Sequence, residues 1–178
     1  MTVRRRAPTP LTRESLDRLA LRYVERFATT RARLAAYLDR KIRERGWEGP
    51  AADTAGLAER MAGLGYIDDR AFAAARARSM ARRGLGARRV AQAFHAAGIA
   101  AEDAEAVAPE IGEQALDAAL ALARRKRIGP FAAEAAPREI RERQLAQMVR
   151  GGHSFALARR IVDMPPGAPV ETLLVDWD

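Results

Sequence analysis

LGYIDDRAFAAARARSMARRGLGARRV, residues 64–90, begins with two adjacent carboxylates, Asp68 and Asp69, and then sets seven arginines on a stretch without another acid. Paired carboxylates ahead of an alanine-rich run suit a helix start, one as N-cap and the other facing the positive end of the helix dipole. They are also the minimum equipment for acid/base or metal chemistry, but no second cluster of His, Asp or Glu at ligand spacing accompanies them. The glycines of GLG, 84–86, lack phosphate-loop spacing and read as a helix stop. On a helical wheel Ala73, Ala77, Ala81, Ala74 and Met80 form one arc. Arg78 and Arg82 flank it on one side, Arg76 and Arg83 on the other, and Arg88 and Arg89 follow at the start of the next helix. A merely solvated helix interleaves both charge signs at i,i+4 spacing. Here like charge surrounds one helix-turn-helix corner, at a cost that a polyanion or an acidic protein groove would relieve.

The pattern extends along the chain. From Thr12 to about Met164 the text is rich in Ala, Leu, Arg and Glu, without alternating apolar runs, and predicts an all-α fold. Helices are expected at about 12–28, 30–45, 53–63, 68–83, 87–97, 101–109, 112–127, 137–150 and 154–163. Thr12, Thr30, Asp53, Asp68 and Ser154 are the expected N-caps, and Gly46, Gly84, Gly98 and Gly129 the expected left-handed stops. Three apolar pairs recur, Leu34 with Leu38, Val90 with Phe94 and Leu145 with Val149, at separations of 56 and 55 residues. An Ala- and Arg-rich text also produces such matches by chance. Read as repeats, they divide the chain into a mobile basic arm (1–11), three tandem three-helix units (12–66, 67–110, 111–164) and a tail (165–178). Units this small bury surface against their neighbours, which predicts a curved, elongated rod presenting a surface to a long partner.

Composition bounds the function. The 178-residue chain has no cysteine, which excludes disulfides and thiolate chemistry, and a net charge of +8, which favours a polyanionic partner. Nearly all the positive charge is arginine, a bias that a GC-rich genome also produces. Aromatic residues are only 6%, which argues against a binder of single strands built as a stacking platform. MTVRRRAPTP has the charge of a signal peptide without its apolar run, and no segment is long and apolar enough to cross a membrane, so a cytoplasmic location is expected. His95 and His153 lie at matching ends of two middle helices, and packing or exposure explains them better than a shared metal. Charge is also banded: acids from Glu102 to Asp117 separate the arginines before Arg89 from Arg124, Arg125, Lys126 and Arg127. The tail, PPGAPVETLLVDWD, breaks the helical pattern, and its apolar LLV and Trp177 suit docking or disorder.

The stretch LGYIDDRAFAAARARSMARRGLGARRVAQAFHAAGI resembles the RecX family of bacterial RecA regulators. The shared features are Gly65-Tyr66-Ile67-Asp68-Asp69, Phe72-Ala73, Arg78-Ser79, Gly84 with Gly86, Arg88-Arg89-Val90 and Gly98-Ile99. AYLDRKIRERGW resembles the family's first repeat and RERQLAQMVRGGHSF its third, so the likeness covers about 14–163. It implies tandem three-helix repeats, binding along the RecA–DNA filament, and modulation, in the inhibitory direction, of RecA's strand exchange, ATPase and coprotease activities. No enzymatic activity and no cofactor are implied. Gly65, Tyr66, Asp68, Asp69, Phe72, Gly84 and Gly98 fall on the structural signature. Arg78, Arg88 and Arg89 fall on the basic surface, to which residue chemistry adds Arg76, Arg82, Arg83, Arg124, Arg125, Lys126 and Arg127. Arg76 and Met80 stand where the family's pattern has an aromatic and a charged residue, and RGGH replaces a longer Arg-Gly-aromatic ending. The expected partners are the RecA filament and, weakly and with salt dependence, single- or double-stranded DNA, the protein acting as a monomer away from membranes. The competing expectation is a helix-turn-helix transcriptional regulator with 87–97 in a DNA groove.

Overall fold

The computed structural model describes residues 9–173, and over them the protein is all-helical. The helices are α1 (Arg13–Arg26), α2 (Arg31–Arg45), α3 (Thr54–Gly63), α4 (Asp69–Arg82), α5 (Ala87–Ala97), α6 (Ala101–Glu113), α7 (Ala115–Lys126), α8 (Arg138–Arg150) and α9 (Phe155–Asp163). Short 3-10 turns lie at Gly129–Phe131 and Val170–Leu173. Thr12, Thr30, Asp53 and Ser154 cap α1, α2, α3 and α9 through their side-chain oxygens. Asp68 Oδ1 accepts the Ala71 N–H at 2.8 Å to start α4. Gly46, Gly84, Gly98 and Gly129 all take positive φ, but the left-handed cap of α7 is Arg127, with φ 54°, and Gly129 opens the 3-10 turn two residues beyond it.

Another expected stop is displaced. A helix is expected at 101–109, yet α6 continues to Glu113 with Pro109 inside it. A proline removes only its own N–H from the ladder, and the chain beyond it recovers: the Gln114 N–H donates to the Glu110 carbonyl at 3.2 Å. The break comes instead at Gln114, so the expected repeat boundary at 110/111 falls within a helix.

The chain forms two compact units. The first runs through Phe72 and takes back Ala96–Ala100; the second holds Ala73–His95 and the chain from Ala101 onward. The division falls inside α4 and inside α5.

In the first unit α1 buries Leu16, Ala20 and Val24, α2 buries Leu34 and Leu38, and α3 buries Leu57, Ala58 and Met61, each set at helical spacing. Leu11, which the sequence placed at the end of a mobile arm, is fully buried here. Its N–H donates to Gly46 O at 2.9 Å, and its carbonyl accepts the Glu48 N–H at 2.8 Å. Residues 1–8 of that arm lie outside the described residues.

In the second unit Ala119, Leu122 and Ala123 of α7, Met148 of α8, and Leu157, Ala158, Ile161 and Val162 of α9 close around Ile128. Met148 is the buried centre of α8, with Leu145 and Val149 only half-buried beside it. From the tail, Leu173 enters this core, and the Gly167 N–H donates to Pro130 O at 2.9 Å. Trp177 lies outside the described residues.

Candidate polyanion-binding surface

The second half of α4 buries Ala73, Ala77 and Met80 and half-buries Ala74 and Ala81, the arc the wheel predicts. That burial turns Arg76, Arg78, Arg82 and Arg83 outward, and all four are exposed. The chain then turns at Gly84, where φ is +73°, and Gly86.

Both glycines serve close approach as well as helix termination. A Cβ on Gly84 would lie 2.7 Å from the Leu122 backbone nitrogen, and one on Gly86 would lie 2.5 Å from the Gly152 carbonyl. Three bonds clamp the corner: Gly86 N–H to Gly151 O at 2.9 Å, Arg88 N–H to Gly152 O at 3.2 Å, and His153 Nε2 with Gly84 O at 3.1 Å. His153 is buried, and burial lowers its pKa against the smaller opposing effect of the Gly84 carbonyl. It is therefore a packing residue, while His95 is exposed, and no group of His, Asp and Glu among the described residues suits a metal ion.

The clamp gathers cations from distant parts of the sequence. Arg125 of α7 donates from Nη1 to the Arg83 carbonyl, bringing the C-terminal ends of α4 and α7 together. Arg125, in the exposed run 124–127, thus lies beside Arg83, while the Arg124 guanidinium lies over the Phe131 ring at 4.9 Å. Arg88 and Arg89, also exposed, open α5 across the turn. Arg150, outside the expected set, is exposed at the end of α8, next to the Gly151 carbonyl that holds Gly86. Its sequence signal was an arginine immediately before a double glycine.

Among the described residues, only Arg78 of the ten expected contact cations has a carboxylate partner, Glu110 at 3.0 Å. Arg89 donates to the Gln92 amide at 3.2 Å. Some arginines elsewhere are matched with acids, Arg18 with Glu14, Arg40 with Glu44, Arg60 with Asp17, Arg138 with Glu142, and Arg159 with Asp163, while others, such as Arg26 and Arg33, have no carboxylate partner among the described residues. Helix dipoles account for part of the pattern, because the last turn of α7 favours cations. They do the opposite for Arg88 and Arg89, which occupy the positive end of α5. Arg88 and Arg89 are thus held against the dipole and without acids among the described residues.

The signature residues do structural work. Asp69, 6% exposed, accepts the Arg31 backbone N–H on Oδ1 at 3.0 Å and Arg31 Nε on Oδ2 at 2.9 Å. Asp69, in the first turn of α4 as expected, thus also has a partner on α2, which a purely local reading does not supply. The hydrogen bond that Arg31 donates to Asp69, then the one to Glu59, raises the Arg31 pKa. Phe72 is half-buried, with the Arg33 guanidinium 5.4 Å from its ring centre. Thr30 Oγ1 donates to Ala97 O at 2.6 Å, and Gly98 follows with φ +66°, leaving no room for a Cβ against Ala32. Gly65 has φ +80° and Tyr66 is exposed.

The chain is similar to known proteins over the same region. A family model described as RecX, second three-helix domain, matches residues 68–107. The regulatory protein RecX of Myxococcus xanthus (strain DK1622) is 36% identical over 162 residues, covering 85% of this chain and 86% of that protein. No solved structure matches the chain. No helix among the described residues is long and apolar enough to cross a membrane.

Proposed function

The chain belongs to the RecX family, and on that premise we propose that it binds the RecA–DNA filament and inhibits RecA's recombinase, ATPase and coprotease activities in DNA repair and the SOS response. It acts in the cytoplasm as a monomeric, non-enzymatic regulator built of three three-helix repeats. The observation that carries this reading is the surface of Arg82, Arg83, Arg88, Arg89 and Arg124–Arg127, exposed and without carboxylate partners among the described residues. A nucleoprotein filament offers such a surface repeated anions, from phosphates and acidic side chains, at more than one point along its length. A single contact with naked DNA engages less of it and is weakened steeply by salt.

The experiment is a comparison of affinities, by fluorescence anisotropy, for labelled single-stranded DNA alone and coated with RecA in the presence of a slowly hydrolysed ATP analogue. Preference for the coated strand, persisting at physiological salt, is the expected result. A groove-reading transcriptional regulator would instead prefer one naked duplex sequence, losing about 1–3 kcal/mol for single base changes.

A further inference from the structure

A second surface, wholly within the first unit, contains different chemistry. Although aromatics are scarce in the chain, the fold concentrates three of them. Tyr23 of α1 stacks on Tyr37 of α2 with ring centres 4.2 Å apart and planes at 25°, and Tyr23 meets Phe27 at 5.2 Å and 51°. Tyr23 and Phe27 are four residues apart, so they share a helical face up to the α1 cap. Phe27 is the C-cap of α1, with φ −132° and ψ 126°, and this extended backbone leaves its side chain 49% exposed.

Cations surround these rings. Arg26 lies over Phe27 at 5.4 Å, and Arg40 and Lys41 lie over Tyr37 at 5.4 and 5.8 Å. Arg33, one turn before Tyr37 on α2, lies over Phe72 at 5.4 Å. Arg40 and Lys41 share Glu44, whereas Arg26 and Arg33 have no carboxylate partner among the described residues. One exposed Phe is ordinary on a protein surface. An exposed ring continuous with two stacked rings, bordered by Arg26 and with Arg33 on the adjoining helix, neither held by a carboxylate among the described residues, is not explained by packing alone.

We propose that this face of α1 and α2 is a stacking platform for single-stranded DNA. A base stacks on the exposed Phe27 ring, which the Tyr23–Tyr37 pair backs, while the exposed Arg26 and Arg33 neutralise the flanking phosphates. Duplex DNA hides its base faces in its own stack and offers this surface only phosphates. An acidic peptide would engage the arginines and leave the rings without a matching partner. The platform is separate in sequence and chemistry from the Arg82–Arg89 surface, and its failure leaves the proposed function intact.

The test measures the affinity of the full chain for an oligothymidylate and for an abasic strand of the same length, alongside Phe27→Ala, Phe27→Leu and Arg88→Glu/Arg89→Glu variants. Thermal melting checks that each variant folds; Phe27→Leu retains apolar bulk if the alanine variant does not. The wild type is expected to prefer the base-bearing strand by about tenfold, equivalent to about 1.4 kcal/mol. Both Phe27 variants should lose that preference and keep their affinity for the abasic strand. The Arg88/Arg89 variant should keep the preference. Equal wild-type affinity for the two strands would overturn the proposal, as would a folded Phe27 variant that retains the preference. A Phe27 variant that loses only binding to the RecA-coated filament would assign the face to protein instead.

Discussion

Asp69 and Arg31 are joined twice: one carboxylate oxygen takes the first backbone N–H of α2 at 3.0 Å, and the other takes the Arg31 guanidinium at 2.9 Å. One side chain therefore satisfies a free helix-end donor and anchors the start of α4 to the start of α2. Because Asp69 is buried, the geometry makes it a structural residue and removes the attraction of an Asp68-Asp69 acid pair as chemistry.

Asp69→Ala is expected to destabilise the protein by about 2–3 kcal/mol, since it strands a half-buried guanidinium and a helix N–H. Arg31 keeps Glu59 and access to water, which holds the loss below that of a fully buried pair. Asp69→Asn retains one acceptor and should lose less. Urea unfolding midpoints measure both; an alanine variant as stable as wild type would contradict the assignment.

Gly84 and Gly65 make a controlled pair. Both have positive φ, +73° and +80°, but a Cβ on Gly65 would meet nothing within 4 Å, while one on Gly84 would strike the Leu122 backbone. Gly65→Ala should cost about 1 kcal/mol from backbone conformation alone, and Gly84→Ala at least about 2 kcal/mol. Equal losses in thermal or urea melts would show that the approach to Leu122 has no energetic weight.

What the sequence revealed was mainly local. Thr12, Thr30, Asp53 and Ser154 capped as expected because capping depends on an oxygen two or three residues from its donor. The helix expected at 101–109 came out four residues longer because the hydrogen-bond ladder resumes beyond Pro109. Arg76, Arg78, Arg82 and Arg83 were legible as exposed, since the buried alanines and Met80 define the opposite face of α4. Their gathering was not: the Arg125–Arg83 contact and the Gly86–Gly151 bond join residues far apart in sequence, through glycines that read locally as helix stops. The same distance concealed the Asp69 partner and the Tyr23–Tyr37 stack.

Acidification should weaken the second unit through His153. Its folded pKa lies below the ordinary 6.5, so between the two values the unfolded chain binds more protons, and stability rises with pH. The contribution is complete above about pH 6.5 and is lost as pH falls from there toward the folded pKa. Melting temperatures of wild type and His153→Gln should therefore converge from pH 7 to pH 5. A constant difference would contradict burial of the neutral ring.

Two charge reversals should separate stability from binding. Arg124→Glu/Arg125→Glu places acids at the negative end of α7 and breaks the bond to Arg83, so it should destabilise the protein by about 1–2 kcal/mol. Arg88→Glu/Arg89→Glu places acids at the positive end of α5 and should be neutral or slightly stabilising. Both should weaken filament binding more than tenfold. If affinity followed stability across the two variants, the arginines would be structural and the surface would have no anionic partner.

The most direct measurement is single-strand-dependent ATP hydrolysis by RecA while this protein is titrated from far below stoichiometric to equimolar, beside the Arg88→Glu/Arg89→Glu variant. The expected result is inhibition at well under one copy per RecA, with a clear loss of potency on charge reversal in a variant that remains as stable as wild type. No change in hydrolysis at any ratio would contradict filament regulation, and equal inhibition by the variant would remove the α4–α5 corner from the contact.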